Sequence, residues 1–345
     1  MVAHYLVTGH TGFKGSWLSL LLKSRGHTVS GLALDPPRGG LFDSANISSD
    51  LEHDKRVDIR DREEVIRAFK SVKPDFVIHM AAQALVRESY RDPLGTYETN
   101  VNGTLNVLQA SDQTNSITSQ LIVTTDKVYR DSGRERSYVE SDSLGGNDPY
   151  SASKATADIM AQEFFKNERT KPGFIVRGGN VVGAGDVSRD RLIPDLLRSV
   201  KNAEPLSIRY PNAVRPWQHV LDCLEGYLSV LARADTGDAG GPAWNVGPSD
   251  QSSFSVQQVV EFANNLPGFS GLEIDVQPAD LVETNSLSID SGRAQRALGW
   301  ENRLSRDRTL EMALTTPGRE SGQGLRELVE SQIALFETYS TSAAV

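Results

Sequence analysis

The sequence predicts an α/β protein: a doubly wound parallel sheet with a smaller, interleaved C-terminal α/β substrate lobe. Three observations carry this. Short apolar runs alternate with helical patterns through the first half of the chain. A loop with glycines at every third position, Gly9, Gly12 and Gly15, joins the first strand to the first helix. Beyond about residue 178 the rhythm breaks into loops rich in Gly, Pro, Arg and Asp, and an apolar strand appears again later.

In chain order, HYLVTG reads as a strand and GSWLSLLLKSRG as a helix closed by Gly26. HTVSGLAL is a second strand, and Asp58 follows a third. REEVIRAFKSVKP is a helix that stops at Pro74, and DFVIHMAA is the fourth strand. PLGTYETNVNGTLNVLQAS is one long helix, QLIVTT a strand, and a further helix starts at about Pro149 before the strand GFIVRGG. Strands and helices alternating in this way imply right-handed crossovers and a parallel sheet covered on both faces, a Rossmann-type fold. In the second half, RLIPDLLRSVKN and HVLDCLEGYLSVLARA read as helices, and AWNVGP as a strand returning to the first sheet. The expected division is therefore a nucleotide-binding part over 1–177 with a return segment at about 217–247, and a substrate lobe over 178–345. Segment 235–242 reads as a linker, and the terminal STSAAV as a frayed end.

Composition excludes several classes. With 36 basic and 45 acidic residues the net charge is −9, which argues against nucleic acid or an anionic membrane as partner. An anionic ligand then needs a local basic pocket. The single cysteine, Cys223, rules out an intrachain disulfide and a cysteine-rich zinc site, and no metal is expected. No run approaches 18 apolar residues, and MVAHYLVTGH lacks the basic start of a signal peptide, so the expected address is the cytoplasm.

Three places carry chemistry. Glycines between a strand and a helix permit a tight turn and let backbone amides approach a pyrophosphate at the helix N-terminus. The GxxGxxG spacing within a first strand–helix–strand unit therefore reads as a dinucleotide site, although glycines also end strands for structural reasons alone. Asp35, at the end of the second strand, can bind both ribose hydroxyls and disfavours a 2′-phosphate, which points to NAD over NADP. Asp58 reads as an adenine contact or a solvated surface carboxylate. PYSASK sets Tyr150 and Lys154 four apart, on one helix face, where the lysine can lower the phenol's pKa. VTTDKVYRD sets Thr125, Asp126 and Lys127 side by side at the end of a buried strand, with Tyr129 read as core packing.

Thr125, Tyr150 and Lys154 together resemble the short-chain dehydrogenase/reductase superfamily, in which Tyr is the acid/base, Lys binds the nicotinamide ribose and Ser or Thr holds the substrate oxygen. More narrowly, GHTGFKGSWL, AAQALVRESY, TTDKVY, LGGNDPYSASKA and RPWQHVLDCLEGYL resemble its extended, NAD-dependent nucleotide-sugar 4,6-dehydratases, specifically the branch acting on CDP-glucose. The match runs from about residue 4 to about residue 300. It implies transient oxidation at C4, elimination of water across C5 and C6, and return of hydride to C6. By resemblance Asp126 is the acid for the departing 6-hydroxyl and must be protonated. Lys127 is the C5 base, where many dTDP-glucose dehydratases carry Glu, and must be neutral.

The resemblance also implies NAD contacts at Gly9, Thr11, Gly12, Phe13, Gly15, Asp35, Asp58, Ile59, Ala81, Ala82, Gln83, Asn100, Tyr150 and Lys154. It places Asn180 and Arg215 on the diphosphate of a nucleotide-diphosphate sugar, Arg191 and Arg209 near the nucleotide, and Gln83 and Arg87 beside the sugar. It implies a homodimer packed through the helix at about 92–112 and the Tyr150 helix. Two segments depart from the pattern. RDSGRERSY is charged where aromatic residues are the rule, and Val187 replaces a usual Trp. Both bear on which nucleotide and hexose fit, and leave the reaction class alone. A C4-epimerase needs only Thr, Tyr and Lys, so Asp126 and Lys127 separate the two readings; a non-catalytic NAD-binding protein would need none of them.

Overall fold

The computed structural model describes residues 2–131, 133, 136–166, 171–233, 243–248, 253–269, 271–277, 288–315 and 322–339. The expected linker at 235–242 and the terminal STSAAV lie outside the described residues. The strands are β1 (His4–Thr8), β2 (Thr28–Ala33), β3 (His53–Arg56), β4 (Phe76–His79), β5 (Ser119–Thr125), β6 (Gly173–Gly178), β7 (Val181–Val182), β8 (Leu206–Ile208), β9 (Val214–Pro216), β10 (Gln218–His219), β11 (Trp244–Val246), β12 (Ser253–Ser255) and β13 (Ile274–Val276). The helices are α1 (Phe13–Ser24), α2 (Leu41–Ser44), α3 (Arg62–Val72), α4 (Val86–Arg91), α5 (Pro93–Tyr97), α6 (Thr104–Asp112), α7 (Pro149–Phe165), α8 (Leu192–Asn202), α9 (Val220–Ala232), α10 (Val256–Asn264), α11 (Gly292–Leu298), α12 (Arg306–Leu314) and α13 (Gly322–Thr338).

Seven strands form one parallel sheet in the order β11-β6-β5-β4-β1-β2-β3. The order reverses between β1 and β4, and the crevice outside the strand ends at such a switch is where open α/β sheets bind ligands. β5 is buried along all seven residues, as a strand covered on both faces must be. β3 is polar, HDKR, as suits the edge strand that it forms among the described residues, paired with β2.

Local chemistry sets the helix ends. Asp61 caps α3 by accepting the Glu64 amide, and Lys73 closes it in the left-handed region just before Pro74. Asp148 caps α7 by accepting the Ser151 amide, with Pro149 in the first turn. The predicted long helix is α5 and α6 joined by a π-helical turn, Glu98–Gly103. Such turns re-aim side chains, and this one buries Asn100.

The chain leaves the sheet after β6, builds a second lobe, and returns through α9 to β11, which pairs with β6. The second lobe has its own core around Ile193, Leu196, Trp217, Phe254, Val259 and Leu310. Trp217 is an anchor there, donating from its indole to the Phe254 carbonyl. The C-terminal segment differs from expectation. Ala294, Trp300, Leu304, Val329, Ile333 and Phe336 join the core of the first sheet, because α11 and α13 carry apolar faces that the helices α1, α2 and α9 leave open. Among the described residues no helix is long and apolar enough to cross a membrane, and no group of metal-ligating side chains forms.

This C-terminal return is tied by a carboxylate. Asp222 on α9 accepts the amides of Arg303 at 2.7 Å and Leu304 at 3.4 Å, and burial pushes its pKa up to about 7. A carboxyl held above its unfolded value binds its proton more tightly in the native state. Its contribution therefore falls as pH rises from about 4, the unfolded value, to about 7, and stays lost above that. Urea unfolding of wild type and Asp222→Asn across this range should show the wild type losing stability relative to the variant as pH increases. Parallel profiles would show that Asp222 does not titrate in that window.

Candidate active site

The glycine loop lies at the sheet's switch point. Gly9 leaves β1 with φ +76°, and a Cβ there would stand 2.8 Å from the Ala81 amide nitrogen at the end of β4. A Cβ at Gly15 would stand 2.2 Å from the Gly9 carbonyl oxygen. These are close backbone approaches that admit glycine alone. Gly12 caps α1, whose first turn has no acidic side chain, so the positive end of a twelve-residue helix faces the crevice. Thr11 holds the loop by donating to the Leu34 carbonyl at 3.0 Å, and Phe13 packs beside Gly183. Asp35 follows, its side chain 92% exposed. This cradle fits a dinucleotide whose pyrophosphate meets the helix and whose ribose meets a carboxylate.

The other expected cofactor residues divide. Ile59 is buried against Gly103, beneath the surface the ligand would touch. Asp58 accepts from the Arg60 amide and guanidinium, and that contact draws its pKa below the usual carboxylate range, so Asp58 is committed to Arg60. Asn100 acts through the backbone. Its Oδ1 accepts the Gln83 amide at 2.8 Å, and its Nδ2 donates to the Gln83 carbonyl at 3.0 Å and to Ser153 Oγ at 2.9 Å. It thereby fixes the Ala81–Ala82–Gln83 strand end against α7. The Gln83 side chain turns to Thr96 at 2.9 Å.

Thr125, Asp126, Tyr150 and Lys154 converge where β5 ends. Thr125 Oγ1 donates to Asp126 Oδ1 at 3.0 Å, and Thr125 also favours the charged form of Tyr150. Lys154 is buried and donates to the Val123 carbonyl at 2.8 Å. Lys127 is half-buried beside Asp126, whose charged form it favours. Burial nonetheless dominates and raises the Asp126 pKa, against Lys127, Thr125 and Arg215. Burial likewise pushes Tyr150 up to about 12 and Lys154 down to about 8. The expected depression of the tyrosine by its i+4 lysine is therefore outweighed in the chain alone, because desolvation of the phenolate is the larger effect and the lysine is turned to a carbonyl. Every one of these three groups is driven towards its neutral form.

Lys14 is a functional candidate that the sequence reading missed. Its Nζ donates to Tyr227 Oη at 3.0 Å, and that hydroxyl lies against Gly178, the β6 partner of Thr125. Burial lowers the Lys14 pKa, and its charge lowers that of Lys154. The available signal was a cation inside the glycine loop, GFKG, where an apolar residue would start the helix equally well. Cys223 lies in the same cluster, buried, with its thiol pKa raised by burial. His219 is packed and neutral, accepting the Leu221 amide on Nδ1, and burial lowers it to about 3.

The arginines are also distributed differently from expectation. Arg191 pairs with the largely buried Asp186 at 3.1 Å, and its charge acts on Tyr150 and Lys14. The charge of Arg215 acts on Asp126. Arg87 and Arg209 come from different lobes and meet on one carboxylate, Asp190, at 3.1 and 3.5 Å. Asn180 follows β6, its carbonyl accepting the Gln218 amide at 3.2 Å. In the first of the two departing segments, Arg136 is engaged with Asp142 and Ser137 with Ser288, next to the isolated bridge between Tyr138 and Ile289.

Comparison with known proteins agrees with this geometry. The NAD dependent epimerase/dehydratase family matches residues 5–247. The chain is 41% identical over 315 residues to a CDP-glucose 4,6-dehydratase of Salmonella typhimurium, covering 88% of this chain and 87% of that protein. It is 29% identical over 317 residues to a dTDP-glucose 4,6-dehydratase of Xanthomonas campestris pv. campestris, covering 87% and 89%. Its fold superposes with a TM-score of 0.76 on the dTDP-glucose 4,6-dehydratase of Streptomyces venezuelae, solved with NAD and TYD bound, at 25% identity over 90% of this chain and 95% of that one.

The Lys14–Lys154 coupling has a direct readout. Two buried ammonium groups raise each other's cost of charging, so removing one should raise the pKa of the other. Lys14→Met should move the titration of Lys154, followed by NMR of 13C-labelled lysine, upward from about 8. An unchanged midpoint would place Lys14 too far away to act.

Proposed function

The chain belongs to the NAD dependent epimerase/dehydratase family, and from that premise we propose that it is a nucleotide-sugar 4,6-dehydratase, a hydro-lyase converting CDP-D-glucose to CDP-4-keto-6-deoxy-D-glucose and water. The observation that carries the reaction class is Asp126, a carboxyl raised by burial and hydrogen-bonded to Thr125 beside Lys127. A C4-epimerase has no leaving hydroxyl to protonate and no use for such an acid.

In this reading the glycine loop, Asp35 and Lys154 would hold the dinucleotide, which would supply the hydride acceptor for C4 and the hydride donor for C6. Tyr150 takes the proton of the 4-hydroxyl, with Thr125 holding that oxygen at hydrogen-bond distance. Lys154, next to the strand end, holds the ribose and favours the phenolate. The C4 ketone acidifies the C5 hydrogen, and Lys127, as the free amine, removes it. Asp126 delivers its proton to the 6-hydroxyl, which leaves as water. As hydride returns to C6 the Lys127 ammonium gives its proton back to C5, C4 stays a ketone, and the proton taken by Tyr150 replaces, through solvent, the one that Asp126 gave up. Asn180 and Arg215 face the diphosphate, Arg191 and Arg209 the nucleotide, and Gln83 and Arg87 the sugar. Residues 1–177 with the return at about 217–247 hold the cofactor, and most of the remainder holds the substrate.

The proposed assembly is a homodimer. Leu94, 70% exposed, and Ile159, 54% exposed, stand with Tyr90 and Tyr97 on α4, α5 and α7, an apolar face on the helices that carry the site. Light scattering should find a particle of two chains, and Ile159→Glu with Leu94→Glu should reduce it to one. A monomeric wild type would sink the dimer without touching the reaction. The cytoplasm is the proposed compartment, since one free, buried cysteine suits a reducing environment, and the net charge of −9 speaks against nucleic acid.

Incubation with NAD and the CDP-, dTDP-, UDP- and GDP-linked glucoses, read by mass spectrometry, tests the function. Loss of one water from CDP-glucose alone is expected. Loss from another nucleotide sugar would move the specificity, and changed stereochemistry without loss of mass would overturn the dehydratase in favour of an epimerase. Lys127→Ala should slow dehydration by about 10²-fold or more, the usual contribution of a positioned base, while reduced cofactor still forms at C4. Dehydration at the wild-type rate would show that Lys127 is not the base.

A further inference from the structure

Arg56 stands beside the ribose carboxylate in a built frame. β2 and β3 pair with Ala33 opposite Arg56, so the guanidinium rises next to the loop that leaves β2. Its Nε lies 3.4 Å from Asp35 Oδ1. Its two terminal nitrogens close on the Asp54 carboxylate, Nη1 on Oδ1 and Nη2 on Oδ2, the latter at 3.0 Å. The guanidinium covers the Phe42 ring, 5.2 Å from its centroid. Asp54 is fixed in turn by Ser48 Oγ at 2.6 Å and by His10 Nε2 at 2.8 Å, and His10 belongs to the glycine loop. These contacts draw the Asp54 pKa below the carboxylate range, so its charge is permanent near neutrality.

Two carboxylates on one guanidinium leave a net charge of −1. A phosphate arriving at the ribose 2′ position would meet that charge, and would find the Nε edge of the fork already facing Asp35. Without Asp35 the same frame would be a neutral Arg56–Asp54 pair with its Nε edge open, oriented by stacking and by a bidentate bond. Such a preorganised guanidinium is well suited to a phosphate.

We propose that Arg56 is a cofactor-discriminating residue, a latent 2′-phosphate site that Asp35 keeps closed by pairing with it. The carboxylate then rejects NADP twice, through its own charge and through the guanidinium edge it occupies. This rests on the dinucleotide reading of the glycine loop and extends it to a residue on β3. Arg38 is a second cation in the exposed loop after Asp35 and provides the control.

Calorimetric titration of the purified chain with NAD and with NADP tests this without any turnover. Wild type should bind NAD in preference to NADP. Asp35→Ala should weaken NAD by about tenfold and tighten NADP, shifting the preference by 10²-fold or more, the range of about two charge-assisted contacts. Adding Arg56→Gln to Asp35→Ala should abolish the NADP gain, whereas adding Arg38→Gln should leave it. A gain that survives Arg56→Gln, or that depends on Arg38 instead, overturns the proposal while the cofactor assignment stands. Wild-type protein that binds neither dinucleotide overturns both. Far-UV circular dichroism and the urea midpoint of each variant confirm that the comparison is between folded chains.

Discussion

A buried guanidinium holds the elements of the candidate site in register. Arg177 on β6 grips both oxygens of Asp158 on α7, at 2.9 and 2.8 Å, with both side chains all but excluded from solvent. Asp158 lies one turn beyond Lys154 and two beyond Tyr150, and it also accepts from Thr124, the neighbour of Thr125, at 3.0 Å. The remaining guanidinium nitrogen donates to Tyr129 Oη, whose own proton goes to Asn245 on β11 at 2.6 Å. The strand end, the tyrosine helix and the returning strand therefore share one polar network. A buried pair is weak evidence for net stability, but removing one partner costs about 3–5 kcal/mol because a charge is left unpaired. That asymmetry makes the pair a register device: α7 cannot slide along the sheet without stranding an ion.

The same exclusion of water that makes this network exacting also sets the protonation states of the site. Desolvation raises Asp126 and Tyr150 and lowers Lys154 and Lys14, overriding the nearby opposite charges in each case. Taken alone, the site is inclined to the protonated form on Asp126 and Tyr150 and to neutrality on Lys154 and Lys14. For a chemistry that needs a carboxyl as proton donor, the burial of Asp126 is the useful arrangement, since in water it would have lost that proton. The tyrosine is the exception: a phenol held up to about 12 is a poor base. A positive ring charge arriving with the cofactor is what would bring it down, which couples proton removal to cofactor occupancy.

Much of this was legible from local pattern. Parallel strands buried on both faces are continuous apolar runs, and Gly9, Gly12 and Gly15 announce a backbone approach that side chains would block. The adjacency of Thr125, Asp126 and Lys127 was visible because it is an adjacency in sequence. What stayed hidden depends on contacts between distant residues. β3 has no apolar period, being a polar edge. The partnership of Asp158 with Arg177 joins a helix to the next strand, and nothing in either segment names the other. Lys14 reads as an ordinary helix-start residue until Tyr227, more than two hundred positions away, is folded against it. The placement of α11 and α13 against the first core was missed for the same reason: amphipathic helices declare that a face is buried, but not against what.

The two lobes are stitched at points that leave specificity free to vary. Trp17 on α1 donates to the Ala184 carbonyl, which fixes the glycine-loop helix to the segment after β7, and Lys14 reaches Tyr227 on the returning α9. Beyond those stitches the chain from Asp186 to Arg191 includes Asp190 in the left-handed region, φ 61°, with Arg87 and Arg209 both on its Oδ1. Such strain in a non-glycine residue persists where surrounding contacts over-determine it. Val187 sits in this turn, its carbonyl taken by Arg198, and beside Tyr138 the residues Arg136 and Ser137 are held by Asp142 and by Ser288, the latter at 2.8 Å. The described residues of both departures from the dehydratase pattern thus have local contacts of their own. The β5 strand end is held separately, through Asp158 and Arg177.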